Sequence, residues 1–248
     1  MNVWMYVIRE MEDALDDCDK RCDINDCNDD PVKAWDEAVA FYTGSLELQD
    51  GSGKGKLLHG LADKRCVNFN TCGDLADSLE GTAHVNLEIF RQFKEGLRKI
   101  NQGECPAART NKESIEQLMA IPLVQGTLRY AYVRSTDVDP DETAEAEGAT
   151  FAAAVLPVVH ACDEDDAKII YDNMGVDSSK PNFEAVKEAF ERNYACMGIR
   201  CEDVGGLYDS VNMKYFEGAD PCGSSSASGM TLTFGLMATF FVGITMLF

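Results

Sequence analysis

The chain predicts a mostly α, disulfide-stabilised helical bundle followed by a C-terminal hydrophobic tail helix. Three observations carry that prediction: apolar residues recur at helical spacing, strand-type alternation is nearly absent, and ten cysteines are spread along 248 residues. In NLEIFRQFKEGLRKI (86–100), Leu87, Phe90, Phe93 or Lys94, Leu97 and Ile100 fall on one stripe, the three-to-four spacing of a helix laid on a core. WDEAVAFYTGSLEL (35–48) reads as helical too. The stretch from Asp141 to Cys162 is rich in Ala and Glu, and Pro157 is expected to kink or interrupt it. SSKPNFEAVKEAFERNYACMG (178–198) opens with serines and Pro181, as helix N-termini do, and ends near Gly198. The organisation expected is one domain over residues 1–220, a small-residue linker at 221–229 and a tail at 230–248. Within the domain, two pseudo-repeated halves are expected, about 1–105 and 106–220.

Composition narrows the function classes. A formal charge of -21, from 43 acidic against 22 basic residues, repels nucleic acid and anionic headgroups and draws cations to the surface. Ten cysteines are many for a reducing cytosol and ordinary for a secreted chain with several bridges. Zinc sites want tight C-x2-C pairs, whereas the closest spacings here are Cys18/Cys22, Cys22/Cys27, Cys66/Cys72 and Cys196/Cys201. Disulfides are favoured, and their pairing stays open among on the order of a thousand arrangements.

From Gly223 to Phe248 there is no charged residue, and MTLTFGLMATFFVGITMLF has the length to cross a bilayer core. PCGSSSASG upstream suits a glycolipid cleavage site, and nothing basic follows the apolar run, which favours a lipid anchor over a spanning helix. The expectation is a membrane-anchored protein on the extracellular face of the plasma membrane or in a periplasmic space. The first residues, MNVWMYVIREMEDALDD, lack the basic start, sustained apolar stretch and cleavage site of a secretory signal, so a truncated or misassigned start is expected.

Residues 48–66, LQDGSGKGKLLHGLADKRC, combine glycines and lysines with the start of a helix. The phosphate-loop pattern fails at two positions, because Gly55-Lys56 is followed by Leu57 and the first required glycine is Asp50. What survives is weaker physics: flexible glycines, two lysines and a helix N-terminus favour a small anion.

The two halves share one pattern. Tyr42-Ser45-Glu47 matches Tyr132-Ser135-Asp137, and each is followed by a histidine with an acid four residues on, His59 with Asp63 and His160 with Glu164. On a helix that spacing puts imidazole and carboxylate on one face, about a turn apart. Phenolate, carboxylate and imidazole together suit ferric iron, a hard cation, while softer metals would favour sulfur. The third histidine, His84, lies outside the repeated Tyr/Ser/acid pattern and reads as structural.

KAWDEAVAFYTGSLELQDGSGKGKLLHGLADKRC (33–66) and VKEAFERNYACMGIRCEDVGGLYD (186–209) resemble the low-iron-inducible algal periplasmic protein family, which includes the phytotransferrins of marine phytoplankton. The likeness runs from about Cys22 to Asp209. It implies high-affinity capture of ferric iron at the cell surface, carbonate as synergistic anion, and internalisation through an endocytic partner that the chain does not name. It does not say which residues hold the metal. The candidate ligands are Tyr42, Glu47, His59 and Asp63 in the first half and Tyr132, Glu145, Glu147 and His160 in the second, in one shared site or two. Lys54, Gly55 and Lys56 are the candidate anion site, supplying N–H donors and positive charge for carbonate.

A rival reading is an acidic, non-enzymatic surface or adhesion module, in which DDCDKRCDINDCNDD (16–30) binds calcium loosely; that run lacks the central glycine and terminal glutamate of an EF-hand. A third reading, a metal-dependent hydrolase suggested by the helical His/acid pairs, is disfavoured because HExxH, G-x-S-x-G and a free-Cys nucleophile pattern are all missing from the sequence.

Overall fold

The computed structural model describes residues 2–20, 30–45, 55–73, 82–136, 142–176, 178 and 180–222. The expected linker from residue 223 on and the apolar tail, the cysteines at 22 and 27, and candidates Glu47 and Lys54 lie outside them. Among the described residues the chain is mostly helical, with α1 (Asn2–Lys20), α2 (Pro31–Thr43), α3 (Leu58–Phe69), α4 (His84–Asn101), α5 (Cys105–Thr136), α6 (Glu142–Cys162), α7 (Glu164–Met174), α8 (Phe183–Asn193) and α9 (Cys201–Val204). A two-stranded antiparallel ribbon, β1 (Tyr208–Asp209) and β2 (Lys214–Tyr215), follows. Among the described residues no helix is long and apolar enough to cross a membrane.

The helices begin where short polar side chains can cap them. Asp30 accepts from Val32 N at 2.8 Å ahead of Pro31, Asp163 accepts from Asp166 N at 2.9 Å, and Asn182 accepts from Ala185 N at 3.2 Å. α5 is the spine: at 32 residues it is about 48 Å long, and it packs against α1, α3, α4, α6, α7, α8 and α9. Its burial all round, Ile115, Met119, Ile121 and Val124 included, joins the packing on both sides into one core.

Among the described residues, four disulfides hold this arrangement. Cys18–Cys105 ties the end of α1 to the start of α5, Cys66–Cys72 closes the turn after α3, Cys162–Cys196 joins α6 to the segment after α8, and Cys201–Cys222 clips α9 to residue 222. The first closes a separation of 87 residues, for which chain entropy alone is worth about 4.5 kcal/mol. Every described cysteine is in a bridge.

Three local expectations change. α6 is not interrupted at Pro157 but continues to Cys162. A helix-interior proline costs about 3 kcal/mol, and fully burying Val155 and Val159, at about 1.5–3 kcal/mol each, offsets it. The buried face of α4 is Val85, Asn86, Ile89, Phe93, Gly96 and Ile100, so Leu87 falls outside it and is exposed. The helix expected over 35–48 stops at Thr43, where Gly44 takes φ +79° and its N–H reaches Ala40 O at 2.7 Å.

Candidate metal centre

Gly44 decides how α3 returns onto α2. A Cβ at this position would stand 2.8 Å from Leu57 Cδ1, so glycine lets Leu57 close over the end of α2. Leu57 is also the N-cap of α3, which places His59 in the first turn of α3 beside Tyr42 in the last turn of α2. Their rings meet edge to face with centroids 6.0 Å apart, and Phe90 closes on both, at 6.3 Å from Tyr42 and 5.6 Å from His59. Tyr42 is 0% exposed, His59 3% and Asp63 8%, so three of the four first-half candidates share one buried pocket of side chains.

α4 supplies the frame. Asn86, in its first turn, donates to Asp63 Oδ1 at 2.7 Å and to His59 O at 3.0 Å, and its own Oδ1 accepts from the Tyr42 hydroxyl. Ala83 N, held by the bridge between Cys72 and Ala83, donates a second bond to Asp63 Oδ1 at 2.7 Å. One oxygen of Asp63 is therefore fully engaged. The other, Oδ2, is buried without a hydrogen bond, as is His59 Nδ1, and the two face each other at 3.6 Å. That gap is too long for a hydrogen bond. It matches the separation of two donors that each sit about 2.0–2.2 Å from one first-row metal ion. Burial, and then the charge of Asp63, push the Tyr42 phenol well above its ordinary value, so the metal-free pocket keeps this proton.

Among the described residues no three His, Cys, Asp or Glu side chains lie close enough together to hold an ion, so an ion at the His59–Asp63 pair would need the Tyr42 oxygen or small ligands to complete its shell. The donor set of phenol, imidazole and carboxylate fits a hard, highly charged cation.

The second-half candidates stand elsewhere. Tyr132 packs its ring on Phe183 and Phe216, at 5.1 and 5.3 Å, on the far part of α5. Glu147 accepts from the Tyr130 hydroxyl, Glu145 is half-buried on the same helix, and His160 is exposed near the end of α6. The helical pairing expected for His160 and Glu164 fails because Asp163 caps a new helix between them. Gly55 and Lys56 border a cleft with Gly60, Lys64 and Glu147, on a different face of α3 from His59 and Asp63. Of the acidic run at 16–30, only its ends are described.

Asn86 is the residue that sequence reasoning missed. Its signal was available: a polar side chain at a buried position of an otherwise apolar stripe implies a buried polar partner. His84 does have a partner, Gly73 O at 3.2 Å from Nδ1. Comparison of the chain with protein-family models, curated proteins and solved structures finds no match.

Proposed function

We propose that this chain binds ferric iron as cargo, through Tyr42, His59 and Asp63, at a cell surface. The observation that carries the reading is a facing pair of buried atoms without hydrogen bonds, His59 Nδ1 and Asp63 Oδ2, 3.6 Å apart and beside a buried phenol. Leaving two such atoms unbonded costs about 1–3 kcal/mol each, and one cation would satisfy both. Ferric iron is favoured over softer ions because all eight described cysteines are closed in bridges and the remaining donors are oxygen and nitrogen.

The proposal takes its protein donors from the first half alone. With three of them, the remaining coordination positions fall to small ligands, carbonate first. The likeness of residues 33–66 and 186–209 to the low-iron-inducible algal proteins supports the same reading, as do disulfides that suit an oxidising compartment and an uncharged C-terminal run that suits a membrane.

The test is titration of the protein with ferric citrate, with and without bicarbonate, while following the visible tyrosinate-to-iron band. The band should appear in wild type, vanish in Tyr42→Phe, persist in Tyr132→Phe and weaken without bicarbonate. A band that survives Tyr42→Phe and is lost in Tyr132→Phe would move the site to the second half and overturn the assignment.

A further inference from the structure

The other face of α3 borders a cleft of about 350 Å³ against α6. Lys56 and Lys64 stand exposed on its rim, while Arg65, 1% exposed, forms part of its wall with Leu61 and Phe151. Arg65 is incompletely partnered. One terminal nitrogen donates to Asn68 Oδ1 at 3.0 Å, but Nε is buried without an acceptor, and the guanidinium lies 5.7 Å from the ring centroids of Tyr130 and Phe151. Burial, then the nearby charge of Arg129, pulls Arg65 down to about 10, against the Glu147 carboxylate, which raises it. The acid on the lining, Glu147, is engaged by the Tyr130 hydroxyl. Three cations against one carboxylate make this a positive hollow in a chain of charge -21. The larger cleft, of about 390 Å³, differs, because its Arg91 and Arg200 are each paired with an acid, Glu88 and Asp203.

A buried guanidinium with an orphaned donor is costly unless an anion meets it. The first turn of α3 adds its dipole at the same edge, and no side chain caps it. The hollow falls in the size range of small-molecule sites, and Leu61 and Phe151 give it an apolar wall.

We propose that this cleft binds a small organic oxyanion, its carboxylate or phosphate head on Arg65, Lys64 and Lys56 and its carbon skeleton against Leu61 and Phe151. The site is independent of the metal reading, since His59 and Asp63 face α2 and α4.

Calorimetric titration of the full chain with inorganic phosphate, phenyl phosphate and benzoate tests it. At least one aromatic probe should bind about tenfold more tightly than inorganic phosphate; tighter phenyl phosphate identifies a phosphate ester and tighter benzoate a carboxylate. Lys56→Glu with Lys64→Glu, both on exposed positions, should weaken that probe about tenfold or more, while Tyr42→Phe leaves it unchanged. Arg65→Lys should weaken it too, with unchanged thermal stability showing that the fold is intact. Absence of saturable binding by any probe, or equal affinity in wild type and the double lysine variant, overturns the proposal.

Discussion

Asn86 holds Asp63 by a 2.7 Å bond to Oδ1 and thereby turns Oδ2 toward His59. The same amide accepts from the Tyr42 hydroxyl, so one side chain from α4 aligns two candidate ligands from α2 and α3. Asn86→Ala strips the partner from the phenol and one of two donors from Asp63. The expected loss is about 3 kcal/mol in a denaturant melt, with ferric affinity falling alongside. A variant as stable as wild type would show that the network does not hold the pocket.

Loading of the pocket should release protons. The Tyr42 phenol is pushed up by burial and by Asp63, so it is protonated in the metal-free protein at neutral pH and must ionise to bind iron. Affinity therefore rises with pH, about tenfold per unit for one displaced proton. Proton release on loading, measured in weakly buffered solution, should be about one proton greater in wild type than in Tyr42→Phe.

Gly96 sits under Trp35, and a Cβ there would stand 2.3 Å from Trp35 Cζ2. Alanine favours a helix interior by about 1 kcal/mol, but forcing extra volume into a packed core costs about 1–3 kcal/mol. The clash also threatens the 2.9 Å bond from Trp35 Nε1 to Phe93 O. Gly96→Ala should therefore be destabilising on balance, with a shifted tryptophan emission.

Asp166 links the start of α7 to the end of α8. The Arg192 guanidinium holds its carboxyl below the usual aspartate range, against the effect of burial, and a bond from Asn193 at 2.8 Å helps. Because the folded value is depressed, the stabilisation is fully present above the unfolded aspartate value of about 4 and is lost as pH falls through the folded one. The melting-temperature gap between wild type and Asp166→Asn should be full at about pH 5–7 and close as the solution is acidified below about pH 4.

Much of the secondary structure was legible locally. The Ala- and Glu-rich run of α6 and the His-x3-Asp spacing of α3 report on neighbours within a turn or two, which helical geometry converts directly into shared faces; the serines and Pro181 expected to open the helix near 183 lie before its Asn182 cap, and it ends at Asn193 rather than near Gly198. The same logic failed at His160 and Glu164, because Asp163 between them makes a better cap than a helix interior residue.

The residue types and cysteine content of this chain determined by themselves a helical, disulfide-bonded protein and named Tyr42, His59 and Asp63 among eight candidate ligands spread over both halves. Only the tertiary structure decided that these three meet around Asn86, that Tyr132 packs its ring on Phe183 and Phe216 while Glu147 accepts from Tyr130, and that Lys56 and Arg65 line a separate cleft. The reason is one of range: spacing along a helix encodes which side chains share a face, whereas which faces meet is settled by burying apolar surface between elements far apart in the chain.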